Sequence, residues 1–168
     1  MKKILSLDVS AASTGWCLMR ADGNYEFGTI KTKPKFPLSE RLTQFREELK
    51  SLLNTYEPDE VVIEDAFSGI NVKTLKILCK FAGVAEQCCF EITEKAPTIM
   101  SNHTVKSYFK VSNKEELFNF IIGILELNLN FKKDNDKTDA YAQALCFLDS
   151  LGITAFRIEK DYGYEYKT

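Results

Sequence analysis

The chain has one histidine, His103, and five cysteines: Cys17, Cys79, Cys88, Cys89 and Cys146. The cysteines are odd in number and form no CxxC pair, so neither zinc-ligand spacing nor a disulfide framework is present. They read as buried, reduced thiols of a cytosolic protein. No apolar run approaches the ~18 residues of a membrane-spanning helix, which leaves no role at a membrane. The opening Met1-Lys2-Lys3-Ile4-Leu5 reaches Asp8 too soon to hold a signal-peptide core, and the cytoplasm is the expected location. GxSxG is missing, and one histidine makes no credible Ser-His-Asp set. There is no repeat, low-complexity stretch or linker.

What is present is 168 residues, enough for one domain, with 45% hydrophobic and 12% aromatic content and a net charge of −2. This composition excludes disorder. A pI near 5.6 argues against a generic nucleic-acid binder. The charges are unevenly spread, however. Phe27 to Ser39 holds Lys31, Lys33 and Lys35; Ala66 to Ala85 holds Lys73, Lys76 and Lys80; Lys95 to Lys114 adds Lys106 and Lys110; none of the three holds an acid. If these stretches converge, an acidic chain presents a positive face; otherwise they are three solvated surfaces.

Patterning predicts strands over 4–9, 15–20 and 25–32, with Asp22-Gly23 as a hairpin turn between the last two. A helix from Ser39 is stopped by Pro58. Val61-Val62-Ile63 is a short buried strand, and Asn71 caps a helix that carries Leu75, Leu78 and Ala82 on one side and three lysines on another. A brief strand over 97–100 precedes two helices capped by Asn102 and Asn113, and a final helix runs from Asp136 to Leu148. The tail after Ile153 is Tyr-rich (Tyr162, Tyr164, Tyr166) and shows no period. The class is α/β: a mixed five-stranded sheet, three antiparallel strands plus parallel ones, flanked by helices.

Asp8 and Glu64 each end a buried strand, where a carboxylate is costly to desolvate alone. Ligands of open α/β sheets collect at that end. Asp136 and Asp139, three apart at the expected helix start, face one way and gain from its N-terminus. Ala140, Ala142 and Ala144 let that helix lie close to the sheet. Four converging carboxylates demand cations, and oxygen-only ligands suit Mg²⁺ or Mn²⁺. Two such ions can hold a phosphate and activate water with no nucleophilic side chain. Singly, Asp136 and Asp139 also read as capping acids and Glu64 as a strand-end residue. Asp65 and Asp134 are reserve ligands.

The segments Ile4–Ser10 with Thr14-Gly15-Trp16, Val62–Phe67 with Asn71, Gly83-Val84-Ala85, and Asp136-Lys137-Thr138-Asp139-Ala140 with Ala142 and Ala144-Leu145 occur in the order of the RuvC family. The resemblance covers roughly residues 1–150. It implies an RNase H-like nuclease domain there, with 151–168 as a C-terminal extension. It implies a homodimer that binds four-way DNA junctions and cuts two opposing strands symmetrically with two Mg²⁺ or Mn²⁺ ions per active site. The family's four acids match Asp8, Glu64, Asp136 and Asp139, and its active-site lysine matches Lys106 best, with Lys114 matching a second. Phe67 matches the aromatic that engages bases at the crossover, with a core aromatic as the bland alternative. The helix over about 71–91 matches the dimer contact. Asn71, Lys73, Lys76, Lys80, Lys110 and Lys114 are then expected to meet DNA. Asp8-Val9-Ser10 departs from the family's Asp-Pro and following glycine. The tail and low pI point to a divergent, phage-type member, hence host cytoplasm; no helicase partner is visible.

Three other readings stand beside this one. An RNase H cutting RNA–DNA hybrids shares the chemistry. A non-catalytic junction binder keeps the fold but is expected to lack one of the acids. An actin-like ATPase or sugar kinase also opens with a strand, an Asp and a Ser/Thr/Gly-rich hairpin, but this chain has eight glycines and no Walker-type loop.

Overall fold

A computed structural model describes residues 1–65, 71–153, 156–158 and 164–166. Three antiparallel strands come first: β1 (Lys3–Asp8), β2 (Ser13–Arg20) and β3 (Tyr25–Lys31). Asp22 accepts from the Asn24 amide at 3.0 Å and Gly23 takes φ 87° in the β2–β3 turn, as the Asp-Gly pair foretold. Helix α1 (Leu38–Tyr56) leads to β4 (Glu60–Glu64), α2 (Val72–Thr93) to β5 (Thr98–Met100), and α3 (Asn102–Phe109), α4 (Lys114–Leu125) and α5 (Phe131–Ser150) follow. The sheet order is β3-β2-β1-β4-β5, with β4 parallel to β1 and β5 parallel to β4.

Side-chain alternation along β1 divides the core. Leu5 and Leu7 point toward α1 and α2, where Phe45 and Phe81 meet edge-on at 5.3 Å between centroids. Ile4 points the other way, toward α3, α4 and α5. Residues 138–148 of α5 are all buried, and Ala140, Ala142 and Ala144 are fully so, because a helix lying on the sheet has room only for small side chains there.

Several expectations need correction. Helix α5 begins at Phe131, not Asp136: the Asn130 side chain accepts the Lys132 amide, and Asp134 returns a bond from the Asn130 amide at 3.0 Å. Asp136 and Asp139 thus lie in the second and third turns, beyond the reach of the helix N-terminus. Ser101, not Asn102, caps α3. Cys79 is exposed, whereas the other four cysteines are buried free thiols. The unplaced tail contains a small antiparallel pair, β6 (Phe156–Ile158) with β7 (Tyr164–Tyr166). Among the described residues no helix is long and apolar enough to cross a membrane.

Candidate active site

The carboxyl ends of β1 and β4 lie side by side because Leu7 pairs with Ile63, so Asp8 and Glu64 emerge at one edge of the sheet. Helix α5 brings Asp139 to the same place. Gly15, paired with Asp8 across β1 and β2, permits this: a Cβ there would stand 1.9 Å from the Asp136 carbonyl oxygen. The Asp8–Thr14 turn closes without the family's glycine through hydroxyls. Ser10 Oγ donates to the Ser13 carbonyl at 2.8 Å, and Thr14 Oγ1 donates to the Ser10 carbonyl at 3.1 Å. We expect Gly15→Ala to push α5 off the sheet and cost about 1–3 kcal/mol of stability, measured by denaturant unfolding.

An ammonium group stands among these acids. Lys114, the first residue of α4, places Nζ 2.7 Å from Asp139 Oδ2 and 3.8 Å from Asp8 Oδ2. Asn102 donates from Nδ2 to Glu64 Oε1 at 3.1 Å. Asp139 is only 2% exposed, and its Oδ1 is buried with no hydrogen-bond partner among the described residues. Burial raises the pKa of Asp8, and the charge of Glu64 raises it further against the pull of Lys114. Burial likewise raises Glu64 and Asp139, again opposed by Lys114. Burial alone would lower the Lys114 ammonium, but Asp8, Asp139 and Glu64 together outweigh it and hold it protonated.

Lys106 adds a weaker attraction to Glu64 and Asp139 from the last turn of α3. The two lysines are therefore both near the acids, but Lys114 makes the ion pairs. Asp136 is half-buried and close enough to raise both Asp8 and Asp139. Of the two reserve ligands, one carboxylate has a cation partner of its own. Asp134 pairs with Lys137 at 2.8 Å and caps α5, and Asp65 is exposed, its amide bonded to the Met100 carbonyl.

Among the described residues, no three Asp, Glu, His or Cys side chains are set to ligate one metal ion as they stand, and Lys114 holds the ground between Asp8 and Asp139. The donor set nonetheless fits a hard divalent cation: every donor is oxygen, one buried carboxylate oxygen is unpartnered, and the acids outnumber the cations facing them.

The other residues expected to meet DNA are Asn71, Lys73, Lys76, Lys80, Lys110 and Phe67. Asn71 caps α2 by accepting the Thr74 amide at 3.0 Å, and Lys73, Lys76, Lys80 and Lys110 are exposed. Phe67 lies outside the described residues. The third basic stretch splits: Lys95 is at the far end of the sheet, donating to the Asp59 carbonyl at 2.9 Å and 3.7 Å from Glu60. Sequence reasoning missed Ser6 and Gln143, whose polar atoms are buried without partners among the described residues. Their signal was spacing: Ser6 is one pleat below Asp8, and Gln143 one turn beyond Asp139.

The family model for crossover junction endodeoxyribonuclease RuvC matches residues 4–147. The chain belongs to the RuvC family. Crossover junction endodeoxyribonuclease RuvC of Syntrophomonas wolfei is 29% identical over 164 residues, covering 92% of each chain. That of Wolbachia sp. subsp. Brugia malayi is 32% identical over 154 residues, covering 87% of this chain and 93% of the relative. The structure of T. thermophilus RuvC in complex with Holliday junction substrate superposes with a TM-score of 0.74 at 20% identity, covering 91% of this chain and 98% of that one. RuvC membership fixes the fold as RNase H-like, and nucleases of the RuvC family are metal-dependent.

Proposed function

We propose that this chain is a Holliday-junction resolvase: a homodimer that nicks two opposing strands of a four-way DNA junction by hydrolysis, leaving 5′-phosphate and 3′-hydroxyl ends. The observation that carries the reading is the cluster of buried Asp8 and Asp139 with half-buried Glu64 around Lys114 at the carboxyl edge of a RuvC-type sheet. A relative of this fold is known in complex with Holliday junction substrate.

Asp8, Glu64, Asp136 and Asp139 are the residues that would hold two Mg²⁺ or Mn²⁺ ions. When bound, the ions supply charge to the scissile phosphate and lower the pKa of the attacking water. The chain's own part is to orient and neutralise. Asn102 fixes the Glu64 carboxylate. Lys114, with Lys106 beside it, brings positive charge to where the phosphorane-like transition state gains negative charge. Phe67 is assigned to stacking on a base at the crossover, worth about 1–3 kcal/mol. Asn71, Lys73, Lys76, Lys80 and Lys110 are assigned to phosphates, where contacts make affinity salt-sensitive.

The dimer follows from the substrate, since a junction with two-fold symmetry needs two related sites to cut both strands. Helix α2, which the family resemblance assigns to the dimer contact, leaves Val72 and Phe90 each more than half exposed, one near either end. Catalysis belongs to residues 1–150, with 151–168 an extension, and the place of action is the cytoplasm.

The experiment is cleavage of a synthetic four-way junction beside an RNA–DNA hybrid duplex, in Mg²⁺ or Mn²⁺. Paired nicks in the junction with an intact hybrid are expected. Preferential hydrolysis of the hybrid would replace this reading with an RNase H, and binding without cutting would leave a junction-binding protein. Sedimentation at micromolar concentration should give the mass of two chains.

A further inference from the structure

Of the three basic stretches, the first is not used by the site described above. Lys33 and Lys35 lie between β3 and α1, in a turn closed by the Phe36 amide donating to the Lys33 carbonyl at 3.0 Å. Phe36 is 40% exposed, and both ammonium groups stand over its ring, 5.9 Å and 5.4 Å from the centroid. Among the described residues neither lysine meets a carboxylate. The arrangement is thus two like charges held about one exposed ring, within a stretch from Phe27 to Ser39 that contains no acid. Cation–π attraction orients the pair without neutralising it.

The base of this turn is fixed to the active-site edge. Strand β3 runs in the same direction as β1, because each pairs antiparallel with β2, so Lys31 and Asp8 end at the same edge of the sheet. Thr32 is buried, its amide donating to the Ala12 carbonyl at 3.0 Å and its hydroxyl to the Ala11 carbonyl at 2.6 Å. Arg41 of α1 also donates to the Ala11 carbonyl, and its Nε donates to Thr32 Oγ1 at 3.3 Å. Ala11 and Ala12 belong to the turn that leaves Asp8. The Arg41 guanidinium lies 5.7 Å from the centre of the Phe81 ring, which ties the same base to α2. Lysines anchored this way lose little backbone freedom on meeting a ligand.

We propose that this turn is a second DNA-docking surface, on which Lys33 and Lys35 take phosphates of one arm of the branched substrate and Phe36 braces both side chains. The partner is a polyanion because the surface offers fixed, unneutralised positive charge. It is DNA because the turn is joined rigidly to the loop that begins at Asp8, so an arm leaving the cutting site passes along the same edge. The inference rests on the junction-resolvase reading and extends it outward from the carboxylates.

The test is a salt series of four-way-junction binding in EDTA, for the unaltered protein, the double variant Lys33→Gln/Lys35→Gln, and Phe36→Ala. Losing two phosphate contacts should weaken binding roughly tenfold at 0.1 M salt and reduce the slope of log affinity against log salt by about two. Phe36→Ala should show part of the affinity loss. Unchanged affinity and slope, or weaker binding with an unchanged slope, would overturn the docking surface while unaltered protein still binds and cuts. Failure of the unaltered protein to bind or cut the junction would instead overturn the resolvase reading.

Discussion

Asp8→Asn protein should lose junction cutting by about a thousandfold or more, because metal-borne charge stabilisation is worth several kcal/mol and each 1.36 kcal/mol is tenfold in rate. Junction affinity in EDTA should hold, since the substitution removes a negative charge from a site that receives phosphate. The same change should stabilise the metal-free fold. Burial and the Glu64 charge raise the Asp8 pKa, so the ionised side chain is less at ease in the folded protein than in the unfolded chain. A raised carboxylate favours the fold below its ordinary pKa, and that contribution is lost as pH rises through the raised value. At neutral pH and without divalent ions, the amide should therefore raise the melting temperature by about 2–6 °C. Added Mg²⁺ should raise the melting temperature of the unaltered protein and do little for the variant. Cutting that survives in Asp8→Asn would remove Asp8 from the site. A variant that neither cuts nor melts higher in EDTA would show that the carboxylates do not repel one another.

The parts of the site that could be read from sequence are those where one residue contradicts its surroundings. Asp8 and Glu64 stand at the ends of apolar runs that would exclude a carboxylate without purpose, and the β-branched Val61-Val62-Ile63 fixed the strand that presents Glu64. Asp139 was visible through its three-residue spacing from Asp136 and the alanines behind it. The start of α5 was not, because Phe131 to Lys137 is largely polar and its cap is an Asn–Asp exchange with little apolar rhythm around it. The choice between Lys106 and Lys114 was also beyond sequence. It depends on Lys110 taking φ 57° at the end of α3 and on Asn113 capping α4 by accepting the Glu116 amide, a turn that aims the first side chain of α4 at the acids. Likewise an acid-free stretch says nothing of where each lysine lands, and Lys95 went to the opposite end of the sheet from Lys106 and Lys114.

Lys114→Met keeps most of the aliphatic stem and deletes the charge, so it isolates what the ammonium does. In EDTA at pH 7 the variant should be about 1–3 kcal/mol less stable than the parent, below the full cost of breaking a wholly buried pair because Lys114 is partly in solvent. The deficit should shrink as pH falls and the raised carboxylates of Asp8, Glu64 and Asp139 take up protons, since a neutral acid no longer needs a partner. Divalent metal should restore stability, by about 2.7 kcal/mol at a concentration 100 times its dissociation constant. Because Lys114 sits between Asp8 and Asp139, metal and ammonium compete for the same oxygens, and the variant should bind Mg²⁺ about tenfold more tightly by calorimetry, a factor equal to about 1.4 kcal/mol. Cutting should nonetheless fall by about a hundredfold, because the cation that entering metal displaces is the one left to face the scissile phosphate. Tighter metal binding joined to slower cutting is a combination that a merely structural lysine does not produce. Weaker metal binding in Lys114→Met, or unchanged stability in EDTA, would mean that the ammonium does not stand in for the metal among these acids.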